Sequence, residues 1–377
     1  MDVFKIISNQ FWSTKIWLPP NTTWADIAPG SRPDVRHADY RDLIWPLPLA
    51  VVMLFLRYVV EKYWVAPIGK SLGIKSTRPK KATPNETLEK AYQKRNRLTH
   101  KMVAGLAKQN DMKERQIERW WRLRRAQDKP TTLVKFCENS WRCLYYLFSF
   151  VYGIIILSDK PWFWDIKHCW YGYPHQSISN DIWWYYMISM SFYWALTFSQ
   201  FSDVKRKDFW QMFVHHAVTL LLMALSWVCN LHRVGSLVLV VHDCADIFLE
   251  AAKMTKYASY QKLCDTIFAI FTVIWIITRL GFYPRIIYSS SVEAPRILPM
   301  FPAYYIFNSL LIMLLLLHIA WTYLILQIAY NALKVGQMEK DIRSSSSEIS
   351  ESSENSKGQP ESPARSKNIN QNHKQEK

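Results

Sequence analysis

Seven apolar stretches, separated by polar links, leave few folds open to this chain: Leu43–Val65, Phe136–Leu157, Trp183–Phe201, Phe209–Cys229, Val234–Lys253, Cys264–Phe282 and Tyr304–Asn331. About 20 predominantly apolar residues span a bilayer as a helix. Within lipid, every backbone N–H and C=O needs an internal partner, which a helix provides segment by segment. The expected class is therefore an all-α polytopic membrane protein with seven transmembrane helices.

The net charge of +17 is concentrated in particular links. Residues 66–135 carry 19 Lys and Arg against 6 acids, and Lys205-Arg206-Lys207 dominates a short link further on. The basic side chains of Ser158–Ile182 are Lys160 and Lys167, and those of Tyr283–Ala303 are Arg285 and Arg296. Lys and Arg concentrate in cytoplasmic loops. With seven crossings this puts the amino terminus on the lumenal side and the carboxyl terminus in the cytosol. Met1–Lys15 has neither the apolar core nor the small-residue cleavage site of a signal peptide, so the first span is expected to be an uncleaved anchor.

Five segments follow: a lumenal segment 1–42, a first membrane helix 43–65, a basic cytosolic insert 66–130, a membrane domain 131–335 and a tail 336–377. Trp12, Trp17 and Trp24 of the first segment are expected at the membrane interface, where amphipathic rings sit. Asn21-Thr22-Thr23 is a glycosylation sequon on the lumenal side, whereas Asn85-Glu86-Thr87 faces the cytosol and should stay bare. The first span opens with Pro46 and Pro48, tolerable in a first turn, and carries Arg57 and Glu61 at i,i+4 spacing. The tail, with Ser344–Ser347 followed by Glu348, Glu351 and Glu354 among further serines, has nothing with which to bury a core and is expected to be disordered. Its serines beside acids suit an acidophilic kinase, with Ser345, Ser346 and Ser347 as acceptors. The six cysteines form no CxxC pair and no regular framework, and most read as small buried hydrophobes. Cys169 and Cys229 both reach the lumenal side, where a disulfide is open to them.

Ionisable groups inside two adjacent membrane segments carry the chemistry. His215 and His216 sit in Phe209–Cys229; His242, Asp243 and Asp246 sit in Val234–Lys253. Each such group in hydrocarbon costs about 2.5–3.5 kcal/mol or more, so they face a protein interior. His215 lies six residues, about 9 Å, from the cytoplasmic end of its helix at 1.5 Å per residue. Asp246 lies seven residues from the same end of the next helix, and His242 and Asp243 about a turn deeper. The short link Asn230–Arg233 makes the two helices antiparallel neighbours. Leu239, His242, Asp243, Asp246, Glu250 and Lys253 form a single stripe at i, i+3, i+4, i+7, i+11 and i+14, and Thr219 stacks one turn beyond His215.

A buried imidazole beside a carboxylate is a general base, or a nucleophile for acyl transfer. A His/carboxylate metal centre of the membrane-desaturase kind needs the many HxxxH and HxxHH clusters that this chain lacks, so no metal and no bound cofactor are expected. Polar residues serving only to hold helices together remain the structural alternative. Lys205, Arg206 and Lys207 at the cytoplasmic mouth, with Lys253, Lys256 and Lys262 beyond, would draw in a phosphate-rich cosubstrate; positive-inside topology explains the same lysines.

The insert adds a second signature. Asp111-Met112-Lys113-Glu114 has the form of a capping box, and the following helix puts Ile117, Trp120, Trp121 and Arg124 on one face. Arg115, Arg119, Arg122, Arg124 and Arg125 give it a positive surface. The run 116–125 resembles the recognition helix of a homeodomain, with two departures. Leu123 stands where that helix places its adenine-reading Asn, and no minor-groove arm precedes it. A basic platform on anionic lipid or on an acyl-CoA fits better than DNA.

Phe213-Val214-His215-His216-Ala217-Val218-Thr219-Leu220, the run from Arg233-Val234-Gly235, and His242-Asp243-Cys244-Ala245-Asp246 through Glu250 to Lys253 resemble the signature of ceramide synthases. Thr278-Arg279-Leu280-Gly281, the homeodomain-like insert, the Asn21 sequon and the acidic Ser-rich tail agree with it. The resemblance covers roughly residues 1–345 and is of the animal type. It implies an endoplasmic-reticulum enzyme that transfers an acyl group from acyl-CoA to a sphingoid base. It also implies a TLC-type barrel of six helices, 136–331, around an acyl tunnel. His215, His216, Asp243 and Asp246 are the implied catalytic residues. His242, Glu250, Arg279 and Lys205-Arg206-Lys207 are expected to contact substrate, and Tyr283–Ala303 is the lumenal loop associated with chain-length selectivity. The expected partners are acyl-CoA, a sphingoid base, membrane lipids and a second synthase chain in a homo- or heterodimer. A non-catalytic lipid sensor of the same fold would be expected to lose the His or the Asp pair, and both are present. A seven-helix receptor matches helix count alone, and a membrane-tethered DNA-binding regulator is opposed by Leu123.

Overall fold

The computed structural model describes residues 2–76, 81–94, 98–128, 130–203 and 208–335. Among them the regular structure is helical throughout, with no strand. Helix α1 (Pro46–Val59) runs on through Ser71. The insert supplies α2 (Glu86–Lys94), α3 (His100–Gln109) and α4 (Glu114–Gln127). The membrane domain follows as α5 (Thr132–Leu157), α6 (Asn180–Ser199), α7 (Phe209–Val228), α8 (His232–Tyr257), α9 (Gln261–Trp275) and α10 (Ala303–Val335).

Five helical runs among the described residues are long and apolar enough to cross a membrane by length and composition. α6 and α8 are of similar length but are not among those five. Their packing explains why. α8 contacts α5, α6, α7 and α9, and buries His232, Ser236, His242, Asp243 and Glu250 against them. A helix surrounded by protein has no need of an apolar exterior.

Prolines are absorbed in a way that periodicity does not disclose. Wider π-helical turns at Val60–Val65, Ile276–Phe282 and Ser289–Glu293 each run directly into a helical turn that has proline at its start, Pro67, Pro284 and Pro295. A π-turn re-pairs the carbonyl that proline leaves without its i→i−4 donor. Two expectations are corrected as a result. The first span does not stop at Val65 but continues to Ser71, and Tyr283–Ala303 is helical as far as Ile297 rather than a loop.

Arg57 and Glu61 pair as their spacing predicts, at 2.7 Å, and Arg57 also binds Asp203 at 2.9 and 3.1 Å. Arg142 of α5 reaches the same carboxylate at 3.0 Å. These charges dock α1 on the link after α6, which is why an apolar span retains them. At the other end, residues 11–44 fold over the bundle. Trp17 is 1% exposed and touches Phe307, so it is a core residue and not the interfacial anchor expected of it. Trp12 is exposed, and the Nε1–H of Trp24 donates to its carbonyl at 2.7 Å. Cys169 and Cys229 are buried free thiols, so the open disulfide is not formed.

The insert has its own small core of Leu88, Tyr92, Val103, Leu106, Ile117, Trp120 and Trp121. Asp111 takes a positive φ of 50°, and α4 starts after Lys113, whose N–H is capped by Gln116 at 2.9 Å. The expected Asp111/Glu114 box is therefore shifted by two residues. Arg124 is not part of an open positive surface: it binds Glu89 twice at 2.8 Å and lies over Tyr92. Asn85 caps α2 by accepting from the Leu88 N–H at 3.0 Å.

Candidate active site

His215, His216, Asp246, Glu250, Lys253 and Arg279 line one cavity of about 1110 Å³, together with Arg142, Asp203, Gln200, His318 and Trp321. A second cavity, of about 920 Å³, is lined almost wholly by apolar groups. The two follow one another along the bundle. On α7 the polar cavity ends at His215 and His216, and the apolar one begins at Thr219; on α10 the boundary falls between His318 and Leu314. On α8 Leu239 faces the apolar cavity and Asp246 the polar one, with His242 between them. The apolar cavity extends to Ser290, Ala294, Leu298 and Phe301, so the wide-turn segment after Tyr283 forms part of its wall.

His216 has a defined tautomer. The Gln200 amide donates from Nε2 to the Phe209 carbonyl at 2.8 Å, which turns Oε1 toward His216 Nδ1 at 3.1 Å. An amide oxygen only accepts, so Nδ1 carries the proton and Nε2 of the neutral ring is bare. His215 packs against Trp321 and His216, with ring centroids 5.3 and 5.7 Å away, and its buried Nδ1 has no hydrogen-bond partner among the described residues.

Asp246 shares the polar cavity with His215 and His216, and each of the two carboxylates has a partner from another element. Asp243 is buried and accepts from the Ser149 hydroxyl at 2.6 Å; it lines neither cavity. Asp246 lines the polar cavity and is held by Arg279 at 3.2 Å. Arg279, 2% exposed, also donates to the carbonyls of Val241 and His242 at 3.0 and 2.8 Å, and its guanidinium lies over Trp275 at 4.9 Å. Its wide turn aims it across at α8, a common use of a π-turn near a functional site.

His242 lines neither cavity. Its Nδ1 faces the Val238 carbonyl at 2.6 Å, and its Nε2 faces His318 Nε2 at 3.2 Å. Glu250 and Lys253, from the α8 stripe, pair with each other at 2.7 Å on the cavity wall. Lys205, Arg206 and Lys207 lie outside the described residues, as do Ser345, Ser346 and Ser347. Asn21 is exposed. Among the described residues no group of three His, Cys, Asp or Glu is placed to hold a metal ion.

Sequence reasoning missed Gln200, Ser149 and His318. His318 is an ionisable residue within an apolar run, a signal as visible as that of His242, but it lies far along the chain from the His/Asp cluster, whereas Gln200 sits among Ser199, Ser202 and Asp203 at the end of a span and reads as part of a polar link.

A TLC domain profile matches residues 135–327, and a homeodomain profile matches 77–130. The chain is 44% identical over 335 residues to ceramide synthase 5 of Homo sapiens, covering 88% of this chain and 85% of that one. Human ceramide synthase 4 is 41% identical over 346 residues, 91% of this chain and 87% of its own. Human ceramide synthase 3 is 40% identical over 344 residues, 91% and 89% respectively. The chain therefore belongs to the TLC-domain ceramide synthase family.

Proposed function

We propose that this protein makes ceramide by transferring a fatty acyl group from acyl-CoA to the amine of a sphingoid base. The observation that carries the reading is the in-line pair of cavities. A polar one holds His215, His216 and Asp246, and an apolar one begins one helical turn away. A thioester at the junction would put its reacting carbon beside the histidines and its acyl chain among apolar walls. Its CoA phosphates would lie toward the end bearing Arg142 and Lys253, with Lys205, Arg206 and Lys207 as further contacts read from the sequence.

His215 is assigned as nucleophile. Asp243 and Asp246 have Ser149 and Arg279 as partners, so neither is devoted to raising the basicity of His215. A neutral imidazole suffices against a thioester, whose thiolate leaves readily. A His215 ring nitrogen attacks the carbonyl carbon, the C–S bond breaks, and CoA leaves as the thiol with the proton that the imidazole gives up. The sphingoid amine then attacks the acyl-imidazole, the bare Nε2 of His216 takes the amine proton, and as the C–N bond to His215 breaks that proton passes to the departing ring nitrogen, which restores both histidines to neutral imidazoles. Asp246, fixed by Arg279, places negative charge beside the ammonium that forms.

The reading extends to an endoplasmic-reticulum membrane protein with the amino terminus lumenal and the carboxyl terminus cytosolic, glycosylated at Asn21 and phosphorylated at Ser345, Ser346 and Ser347. It acts as a homodimer or as a heterodimer with a related synthase. The insert rests its basic face on anionic lipid or on CoA phosphates, not on DNA.

Intact-mass measurement of purified protein incubated with a long-chain acyl-CoA, without and then with sphinganine, tests the mechanism. An added acyl mass that disappears on adding the amine, with ceramide formed, is expected; His215→Ala should abolish it. Wild-type turnover in both His215→Ala and Asp246→Ala would sink the assignment.

A further inference from the structure

His318, on the last helix, belongs to neither segment in which the histidine and aspartate signatures lie, and yet its side chain lines the cavity that holds His215. It is 1% exposed. Three rings fix it in place: Tyr283, Trp275 and Trp321, with centroids 5.0, 6.0 and 6.3 Å away. Its backbone is also tied, since its carbonyl accepts from Thr322 Oγ1 at 2.7 Å, and that hydroxyl in turn accepts from Trp275 Nε1 at 2.9 Å. A histidine built in so firmly has one orientation.

Its proton has one position as well. The Val238 carbonyl only accepts, so His242 carries its proton on Nδ1, and Nε2 of the neutral ring is a lone pair. That lone pair faces His318 Nε2 at 3.2 Å, so the proton between the rings sits on His318. His318 Nδ1 is then a bare acceptor, and it has no partner among the described residues. An unfilled acceptor in a buried site is costly unless a ligand donates to it. Of the two substrates, the acyl thioester has no donor at its reacting end, whereas the sphingoid base has an amine.

We propose that His318 orients the amine substrate: its Nδ1 accepts a hydrogen bond from the sphingoid N–H in the cavity shared with His215, while its Nε2–H stays bonded to His242. This rests on the acyl-transfer reading above. No bond is made or broken at His318, and the amine proton still passes to His216.

The experiment separates the two substrates. His318→Phe keeps a ring but loses the acceptor; His318→Asn keeps an acceptor near the Nδ1 position. Each full-length variant is purified, checked for a wild-type melting transition, and assayed with acyl-CoA alone and then with varied sphinganine. The Phe variant is expected to form the acyl adduct on His215 at the wild-type rate while its KM for sphinganine rises tenfold or more. The Asn variant is expected to recover at least half of that loss on a logarithmic scale. If His318→Phe does not accumulate folded, His318→Met, flexible and apolar, takes its place. Unchanged KM for sphinganine, or an equal loss in adduct formation and in amine use, overturns the proposal. Failure of the acyl-transfer reading looks different: no adduct forms even in the wild-type protein.

Discussion

Arg279 of the wide turn after α9 grips Asp246 of α8 at 3.2 Å while donating to the carbonyls of Val241 and His242 on the same helix. One side chain thus fixes the carboxylate of the polar cavity and joins two helices across it. The stacked Trp275 ring completes its surroundings.

Replacing Arg279 by Ala leaves Asp246 without this partner in a largely buried site. Removing one member of a buried pair costs about 3–5 kcal/mol. The expected outcome is a lower melting transition and loss of ceramide formation, measured on the detergent-solubilised protein. Arg279→Lys, with a point charge and no planar fork, should regain part of the stability and less of the activity.

Gln200 sets the tautomer of His216. Gln200→Leu should lower turnover by about 10²-fold, the lower end of what a positioned base contributes, with little change in melting. Gln200→Glu preserves an acceptor toward Nδ1 and should retain much more activity. Equal rates for the two variants would show that the His216 tautomer is immaterial.

Gly235 allows α6 and α8 to approach closely. A Cβ there would run into the Tyr186 hydroxyl, with Ser226 Oγ 3.3 Å away. Gly235→Ala should destabilise by about 1–3 kcal/mol, the usual cost of overpacking. Because the clash is with one hydroxyl, Tyr186→Phe in the same chain should recover part of it, as read from thermal melts of the four proteins of the cycle.

The insert has an acid limit and an alkaline one. Hydrogen bonds from Arg124 hold Glu89 below the usual carboxylate range; burial pushes Asp128 up, but bonds from Arg124 and Tyr92 outweigh it and leave it lowered. Stability from depressed carboxylates is present above their unfolded pKa values and is lost as pH falls through the folded ones. Burial, followed by the bond to Asp128, pushes Tyr92 up to about 12, so stability also declines as pH rises from about 10 toward that value. Hydrogen exchange of peptides from 86–127 in the intact protein should show protection falling below about pH 4, and Arg124→Ala should lower protection at neutral pH and flatten that fall, because the pairing that depresses both carboxylates is gone.

Asn21 and Asn85 test orientation. Removal of N-glycans should shift the wild-type band and leave Asn21→Gln unchanged. Asn85→Gln should keep the glycan shift, while the loss of its cap weakens α2 by about 1 kcal/mol. A glycan on Asn85 would reverse the proposed topology.

Much of this was legible in the chain. Apolar runs of bilayer length named the helices, and the cost of charge in hydrocarbon singled out His215, His216 and Asp246, all of which line the polar cavity. The core of the insert followed from 3.6-residue spacing, since Ile117, Trp120 and Trp121 are all buried. The boundaries were less legible. Tyr283–Ala303 read as a loop because it lies between two apolar spans, and the π-turns that accommodate Pro284 and Pro295 leave no periodic trace.

The sequence by itself determined the helical membrane class, the family signature and the helical turns that carry the ionisable groups, because burial cost and helical period are local properties of a chain. Only the tertiary structure decided which partner each group takes. Asp243 meets Ser149 from α5, Asp246 meets Arg279 from the turn after α9, and His242 meets His318 from α10. These partners lie 94, 33 and 76 residues apart, and a hydrogen bond over 3 Å depends on how helices rotate against one another, which spacing within one helix does not encode.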